Sequence, residues 1–321
     1  MKKLIALILI LTLTVFSFVS CDEEQVDEVK LRVGFMAGPT GMGLAKLIAD
    51  NGGIEGNEKY SFEKTPTVAQ ATAALTAGIL DLVCVPTSDA AEYYATDSDI
   101  TVLAINTLNT LFVLTDAENT ITTFDDIKGK TVYTCAQGTP KIILEYLVES
   151  YGLDVTVSTS YNGSEILTPA QLGEQIIAGN LPIAVVPEPI VTSSLLKNKN
   201  YSVDLNLEDV WSEHHETPIA MGCILAKKSF VNEHKSAVNA FLNDYKASVE
   251  FVTNFENIDT AAAYVVDCGV MAAAPAAKKA LANLKDAITY IEGDDMKKAL
   301  LNFYEAMNVT APTDEGFFYE K

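Results

Sequence analysis

Ala74-Leu-Thr-Ala-Gly78-Ile-Leu-Asp-Leu-Val-Cys-Val-Pro86 is echoed by Gln175-Ile-Ile-Ala-Gly179-Asn-Leu-Pro-Ile-Ala-Val-Val-Pro187, 101 positions later. In each stretch a helix is stopped by glycine, an apolar run of strand length follows, and proline opens a turn. A second echo stands upstream. Arg32-Val33 to Thr40 matches Thr131-Val132 to Thr139, each reading as a strand, a glycine-containing turn and a helix start. Apolar runs alternate with helical patterns from a first strand at Leu31–Ala37 onward, which is the signature of an α/β protein. Two βαβαβ units about 100 residues apart predict two α/β lobes. In open α/β sheets the ligand crevice lies beyond the carboxyl ends of the strands, where helix starts present free N–H groups, so the expected site is the cleft between the lobes.

Four strand-to-helix turns are placed at that cleft by this reading: Gly38 to Gly43, Pro86 to Asp89, Ala136 to Pro140, and Pro187-Glu188-Pro189. The candidate ligand-binding residues are Thr40, Gly41, Met42, Thr87, Ser88, Gln137, Thr139 and Glu188. For a flat ligand, Phe35, Tyr93 and Tyr133 are candidate stacking rings, on or near the same elements. Crossings between lobes are expected at about Asn106 to Asn109 and near Ala226 to Ser229. The first lobe then comprises residues 22–108 and 228–321, and the second 109–227. The tail from Val231 to Met307 has helical periodicity and little strand character, and is expected to pack back on the first lobe. The single tryptophan, Trp211, reads as a packing anchor.

Composition narrows the function. Of 321 residues 49% are hydrophobic, enough for substantial cores, while 22 Lys+Arg stand against 43 Asp+Glu for a formal net charge of −21. Such a field repels phosphate backbones and anionic lipid headgroups, and excludes nucleic acid as an expected partner. Arg32 is the sole arginine, so the planar fork that suits bidentate anion recognition is nearly absent. Cys84, Cys135, Cys223 and Cys268 form no CxxC pair and read as buried thiols, with their pairing left open. The Glu213-His214-His215-Glu216 cluster lacks metal-ligand spacing and reads as exposed loop, and neither a metal nor a cofactor is expected. Lys2 and Lys3, an apolar run from Leu4 to Val19, and small Ser20 before Cys21 have the layout of a secretory signal over residues 1–20.

Phe18-Val19-Ser20-Cys21 resembles a bacterial lipobox, which implies lipidation at Cys21 and tethering to the membrane through that lipid. Taken in order with the turn Pro39 to Gly43, the run Leu75 to Ala90, the segment Phe124-Asp-Asp-Ile-Lys-Gly-Lys130 and Val186-Pro-Glu-Pro189, the chain resembles the substrate-binding proteins of ABC importers. It is most similar to the branch containing nitrate, sulfonate, taurine and thiamin-precursor (aminopyrimidine) binders. The resemblance implies the two-lobed type II periplasmic-binding-protein fold, with two crossover strands and a cleft between the lobes. It also implies an exported receptor, on the outer face of the cytoplasmic membrane or in the periplasm, that closes on a small solute and hands it to an ABC permease.

On the ligand, the residues lean one way. Asp89 and Glu188 lie at cleft turns and suit a solute that donates N–H or carries positive charge, such as an aminopyrimidine or another vitamin-like heterocycle. The alternative is a sulfonate or nitrate held by backbone N–H groups near Thr40, Thr87 and Thr139, with Lys46 or Lys141 reaching in. A sensory receptor for a membrane kinase, or a thiamin- or menaquinone-precursor enzyme on the same fold, are further alternatives. With no histidine in an expected cleft turn, the non-enzymatic reading is preferred.

Overall fold

The computed structural model describes residues 29–136 and 138–321. The expected leader over 1–20, the lipidation site Cys21 and the cleft candidate Gln137 lie outside the described residues.

The strands in chain order are β1 (Leu31–Phe35), β2 (Tyr60–Lys64), β3 (Leu82–Pro86), β4 (Ile100–Thr107), β5 (Leu111–Asp116), β6 (Thr131–Tyr133) and β7 (Thr156–Ser158). A small ribbon, β8 (Ser160–Tyr161) and β9 (Ser164–Glu165), precedes β10 (Ile183–Pro187), β11 (Tyr201–Asn206), β12 (Gly222–Lys227) and β13 (Ile288–Ile291). They form two main sheets, ordered β13-β4-β12-β3-β1-β2 and β11-β5-β10-β6-β7. The echo seen in the sequence is carried into three dimensions. β3, β1 and β2 run parallel in one sheet, as do β10, β6 and β7 in the other.

Beside each parallel trio lies one antiparallel strand that has arrived from the opposite lobe. β5 enters the second sheet next to β10, and β12 enters the first next to β3. The lobes are thus joined by two crossings, and each contributes a strand to the other's sheet order. The first crossing occupies residues 108–110, close to its expected place. The second differs. It spans residues 213–221, between the helix Leu207–Ser212 and β12, so Ala226 to Ser229 already lies inside the first lobe. The strand content of 222–227 is evident from its apolar run, but sheet membership is decided by pairing with β3 and β4, more than 100 positions away in the chain.

The tail forms helices Lys228–Glu233, Lys235–Thr253, Ile258–Asp267, Ala274–Asn283 and Gly293–Ala306, packed on the first lobe as expected. It also contributes β13, an edge strand beside β4; its residues Ile-Thr-Tyr-Ile are all strand formers, a local signal that a helical reading of the tail passes over. Cys84, Cys135, Cys223 and Cys268 are all buried, and none of them is in a disulfide. Cys84 pairs across to Ile224, one residue beyond Cys223, so strand alternation sends these two thiols to opposite faces of the sheet. Trp211 is fully buried and donates its indole N–H to the Thr217 carbonyl at 2.7 Å. Beside it His215 is not free loop: its ring stacks on Trp211 at 3.9 Å and its Nε2 lies 2.6 Å from the Tyr146 hydroxyl. Among the described residues no helix is long and apolar enough to cross a membrane.

Candidate functional site: the cleft between the lobes

A cleft of about 830 Å³ opens where the carboxyl ends of the parallel strands of both sheets face each other. Three turns from each lobe wall it. From the first lobe come Met36 to Thr40 after β1, Pro66 and Val68 after β2, and Pro86 with Asp89 after β3. Their counterparts are Gly138 to Pro140 after β6, Thr168 to Ala170, and Pro187 to Ile190 after β10. The end of β4 and the two crossings supply Thr107, Thr110 and Met221, whose contacts tie the crossings together: Met221 donates its N–H to the Thr107 carbonyl at 2.9 Å, and the Thr110 N–H points to the Met221 sulfur at 3.3 Å.

Local chemistry sets these turns. Gly38 and Gly138 each precede a helix with a proline in its first turn, at φ 114°, ψ −163° and φ 82°, ψ −170°. That region is open to glycine and strained for other residues, which is why the two echoing turns both hold glycine there. Neither glycine, nor Pro86 or Pro189 at the other two expected turns, offers a side chain that hydrogen-bonds the helix start. At the turns before Thr40 and Thr139 the first-turn N–H groups are therefore left without a side-chain cap, whereas in the helix Ile190–Lys197 the Glu188 carboxylate, one residue before Pro189, takes the Thr192 N–H at 3.1 Å.

Of the candidates read from sequence, Thr40, Thr139 and Glu188 line the cleft. Thr87, Ser88, Gly41 and Met42 do not. Thr87 is fully buried, its hydroxyl donating to the Ala220 carbonyl and its N–H to the Met221 carbonyl at 3.1 Å, so it fastens the β3 turn to the second crossing. Met42 is fully buried in the first-lobe core, and a Cβ on Gly41 would stand 2.5 Å from the Met36 carbonyl oxygen. Ser88 places its hydroxyl 3.5 Å from Asp89 Oδ2. The three aromatic candidates also lie elsewhere. Phe35 is wholly in the core, Tyr93 bonds the Thr72 carbonyl, and Tyr133 packs edge-on against Tyr161. No aromatic ring is found among the described cleft-lining residues; prolines, Met36, Met221, Val68, Val270 and Ile190 supply the apolar surface instead.

The turns at 66–68 and 168–170 escape the sequence reading, although a signal exists. Thr67 and Thr168 are again 101 apart, each three residues before a glutamine. Both are helix N-caps, accepting from the Gln70 and Gln171 N–H groups at 3.2 and 3.3 Å. Thr107, Thr110, Met221 and Val270 carry no local signal, because only the crossing of the chain brings them to the cleft.

Electrostatically the wall is one-sided. Asp89 and Glu188 are its acids, and no lysine, arginine or histidine is among the described lining residues. The sole arginine is committed elsewhere: Arg32, at the far end of β1, donates through Nε to Asp81 Oδ2 at 2.9 Å. Lys46 pairs with Asp50, and Lys141 with Glu145 at 3.4 Å, one helical turn away in each case. Burial raises the Asp89 carboxyl above its ordinary range, with Glu92 adding repulsion. Glu188, only 2% exposed, accepts from the Thr192 hydroxyl at 2.8 Å, the Thr192 N–H at 3.1 Å and the Asn283 amide at 2.6 Å. Burial still pushes its carboxyl upward, and those three hydrogen bonds pull it back.

With the cleft described, its relatives can be placed. Residues 61–257 match the family described as NMT1/THI5 like. The chain belongs to that family. The NMT1/THI5-like chain shares its fold with an ABC transporter structure from Parabacteroides distasonis (TM-score 0.73, 21% identity, 92% of this chain and 100% of that one). It is similarly related to the periplasmic aliphatic sulphonate binding protein SsuA from Escherichia coli (0.70, 18%, 92% of each chain). A more distant likeness is to the periplasmic nitrate-binding protein NrtA from Synechocystis (0.55, 14%, 74% of this chain and 65% of that one). At such identities the likeness is one of fold. No curated protein matches the NMT1/THI5-like sequence.

Proposed function

We propose that the protein is a solute receptor of an ABC-type importer: its two lobes capture a small molecule and deliver it to a permease in the membrane. The observation that carries this reading is the cleft itself. A space of about 830 Å³, walled by three equivalent turns from each lobe and floored by both crossings, changes shape when the lobes move about the hinge. The fold relationship to periplasmic solute binders supports it. The apolar leader and Cys21 support an exported chain tethered by lipid, which metabolic labelling with a radioactive fatty acid, lost in Cys21→Ala, would test.

The ligand we infer is small and nitrogenous, neutral or cationic, of the aminopyrimidine kind or a related heterocycle. Its N–H groups meet Asp89, to which the Ser88 hydroxyl donates at a long 3.5 Å, and the hydroxyls of Thr40 and Thr139; the proline and methionine faces cover its apolar surface. Glu188 has most of its acceptor capacity filled. This is a binding role with no chemical step. A second reading, an alkanesulfonate or nitrate, is favoured by one specific observation: the helix starting at Thr139 has uncapped N–H groups facing the cleft.

A thermal-shift panel on protein beginning at residue 22 separates these readings, because a ligand at 100 times its Kd stabilises by about 2.7 kcal/mol. Stabilisation by an aminopyrimidine or alkylamidine, lost in Asp89→Asn, supports the nitrogenous ligand. Stabilisation by alkanesulfonates alone overturns that choice and keeps the receptor.

A further inference from the structure

We propose that Asn283 is a positioning residue for the cleft: from the first lobe its amide holds the Glu188 carboxylate of the second, and this latch fixes the closed arrangement. The inference rests on the receptor reading and goes beyond it.

Glu188 stands in the turn after β10, and its carboxylate is nearly sealed from solvent. Its two partners within its own lobe are the N–H and hydroxyl of Thr192, one helical turn on. The third comes from across the cleft. Asn283 ends the helix Ala274–Asn283, which packs against the second-lobe helix Ile190–Lys197 beside the cleft. Its Nδ2 donates to Glu188 Oε1 at 2.6 Å and reaches the Thr192 hydroxyl at 3.4 Å. An amide donating to a buried carboxylate is a charge-assisted bond, strengthened by its low-dielectric surroundings.

When the lobes part, Asn283 leaves and Glu188 keeps only its local partners, so the bond exists in the closed form alone. An interaction made in one of two states shifts the population toward that state. Glu188 accordingly serves closure, its carboxylate being held by Thr192 and Asn283. Asn283 itself is exposed, so replacing it disturbs no core.

The test is a donor–acceptor exchange, read in solute-free protein beginning at residue 22 by small-angle scattering and by the distance between spin labels on the two lobes. Asn283→Asp sets two carboxylates against each other, and the expected result is a larger radius of gyration and a longer interlobe distance. Combining it with Glu188→Gln restores a donor facing an acceptor, and both values return to those of the parent. Asn283→Leu, which removes the donor at an exposed site, opens the lobes as Asn283→Asp does. Unchanged dimensions in both single variants overturn the latch, as does an exchange variant that stays open while its circular dichroism is native. Either failure leaves the receptor reading intact, since that reading is judged by solute binding.

Discussion

Glu208→Gln makes stability less sensitive to pH, and the structure gives the sign and the order of magnitude of the effect. Glu208 lies in the first turn of the helix Leu207–Ser212, where Oε2 accepts the Ile219 N–H of the second crossing at 3.3 Å. Burial, with Asp209 repulsion added, pushes its carboxyl from an ordinary 4.5 to about 7. Below pH 4.5 the group is protonated in folded and unfolded chains alike and costs nothing. Between pH 4.5 and 7 the unfolded chain releases the proton first, so the unfolded state binds fewer protons and stability falls as pH rises. Above pH 7 the loss is complete, about 2.5 pH units at 1.36 kcal/mol each, or about 3 kcal/mol in all. Between pH 5 and pH 8 the change is somewhat smaller, about 2–3 kcal/mol, because the unfolded carboxyl is already mostly ionised at pH 5. Glutamine keeps an acceptor for Ile219 and does not titrate. Urea unfolding of both proteins at the two pH values therefore shows the variant gaining about 2–3 kcal/mol relative to the parent on going from pH 5 to pH 8. A difference that stays constant with pH, or that shrinks, refutes the assignment of a raised carboxyl at the hinge.

Thr87→Val removes the hydroxyl that bonds the Ala220 carbonyl at a fully buried position, and urea unfolding should show a loss of about 1–3 kcal/mol, the usual consequence of an unpaired buried acceptor. In protein beginning at residue 22, the four cysteines are buried and outside any disulfide, and burial pushes Cys84 to about 12, so a thiol-reactive dye labels them only as the chain unfolds. Reductant should leave the thermal midpoint unchanged; a drop on adding dithiothreitol would instead reveal a disulfide.

The architecture was legible where the chain repeats itself. Gly78 and Gly179, Pro86 and Pro187, and the glycine turns before Thr40 and Thr139 recur at nearly constant spacing because each ends or opens the same local element. Local rules govern such positions, and they read correctly without knowledge of the rest of the chain. The second crossing depends on the long-range pairing of β12 with β3 and β4, for which no local pattern speaks, whereas β13 consists of strand formers but is only four residues long within an otherwise helical tail. The site divides in the same way. Thr40, Thr139 and Glu188 reach the cleft because a turn at a strand's carboxyl end must face it. Which residue within the turn faces solvent is a matter of packing, and so Thr87 became a fastening to the second crossing and Met42 part of the core. The aromatic candidates failed for a related reason: large rings near a cleft are most often drawn into the cores behind it, as Phe35 is. Asn283 had no motif to mark it, since its partner is 95 positions away.

The most direct test of the central claim is an isothermal titration of the most stabilising solute into three proteins: the parent, Ala37→Trp and Ala170→Trp. Both alanines are exposed, line the cleft and sit on opposite lobes, so an indole at either fills the space while leaving the cores untouched. The account predicts one site per chain in the parent and loss of binding in both variants, each still folded by circular dichroism. Undiminished binding in both variants would place the solute elsewhere and contradict capture between the lobes.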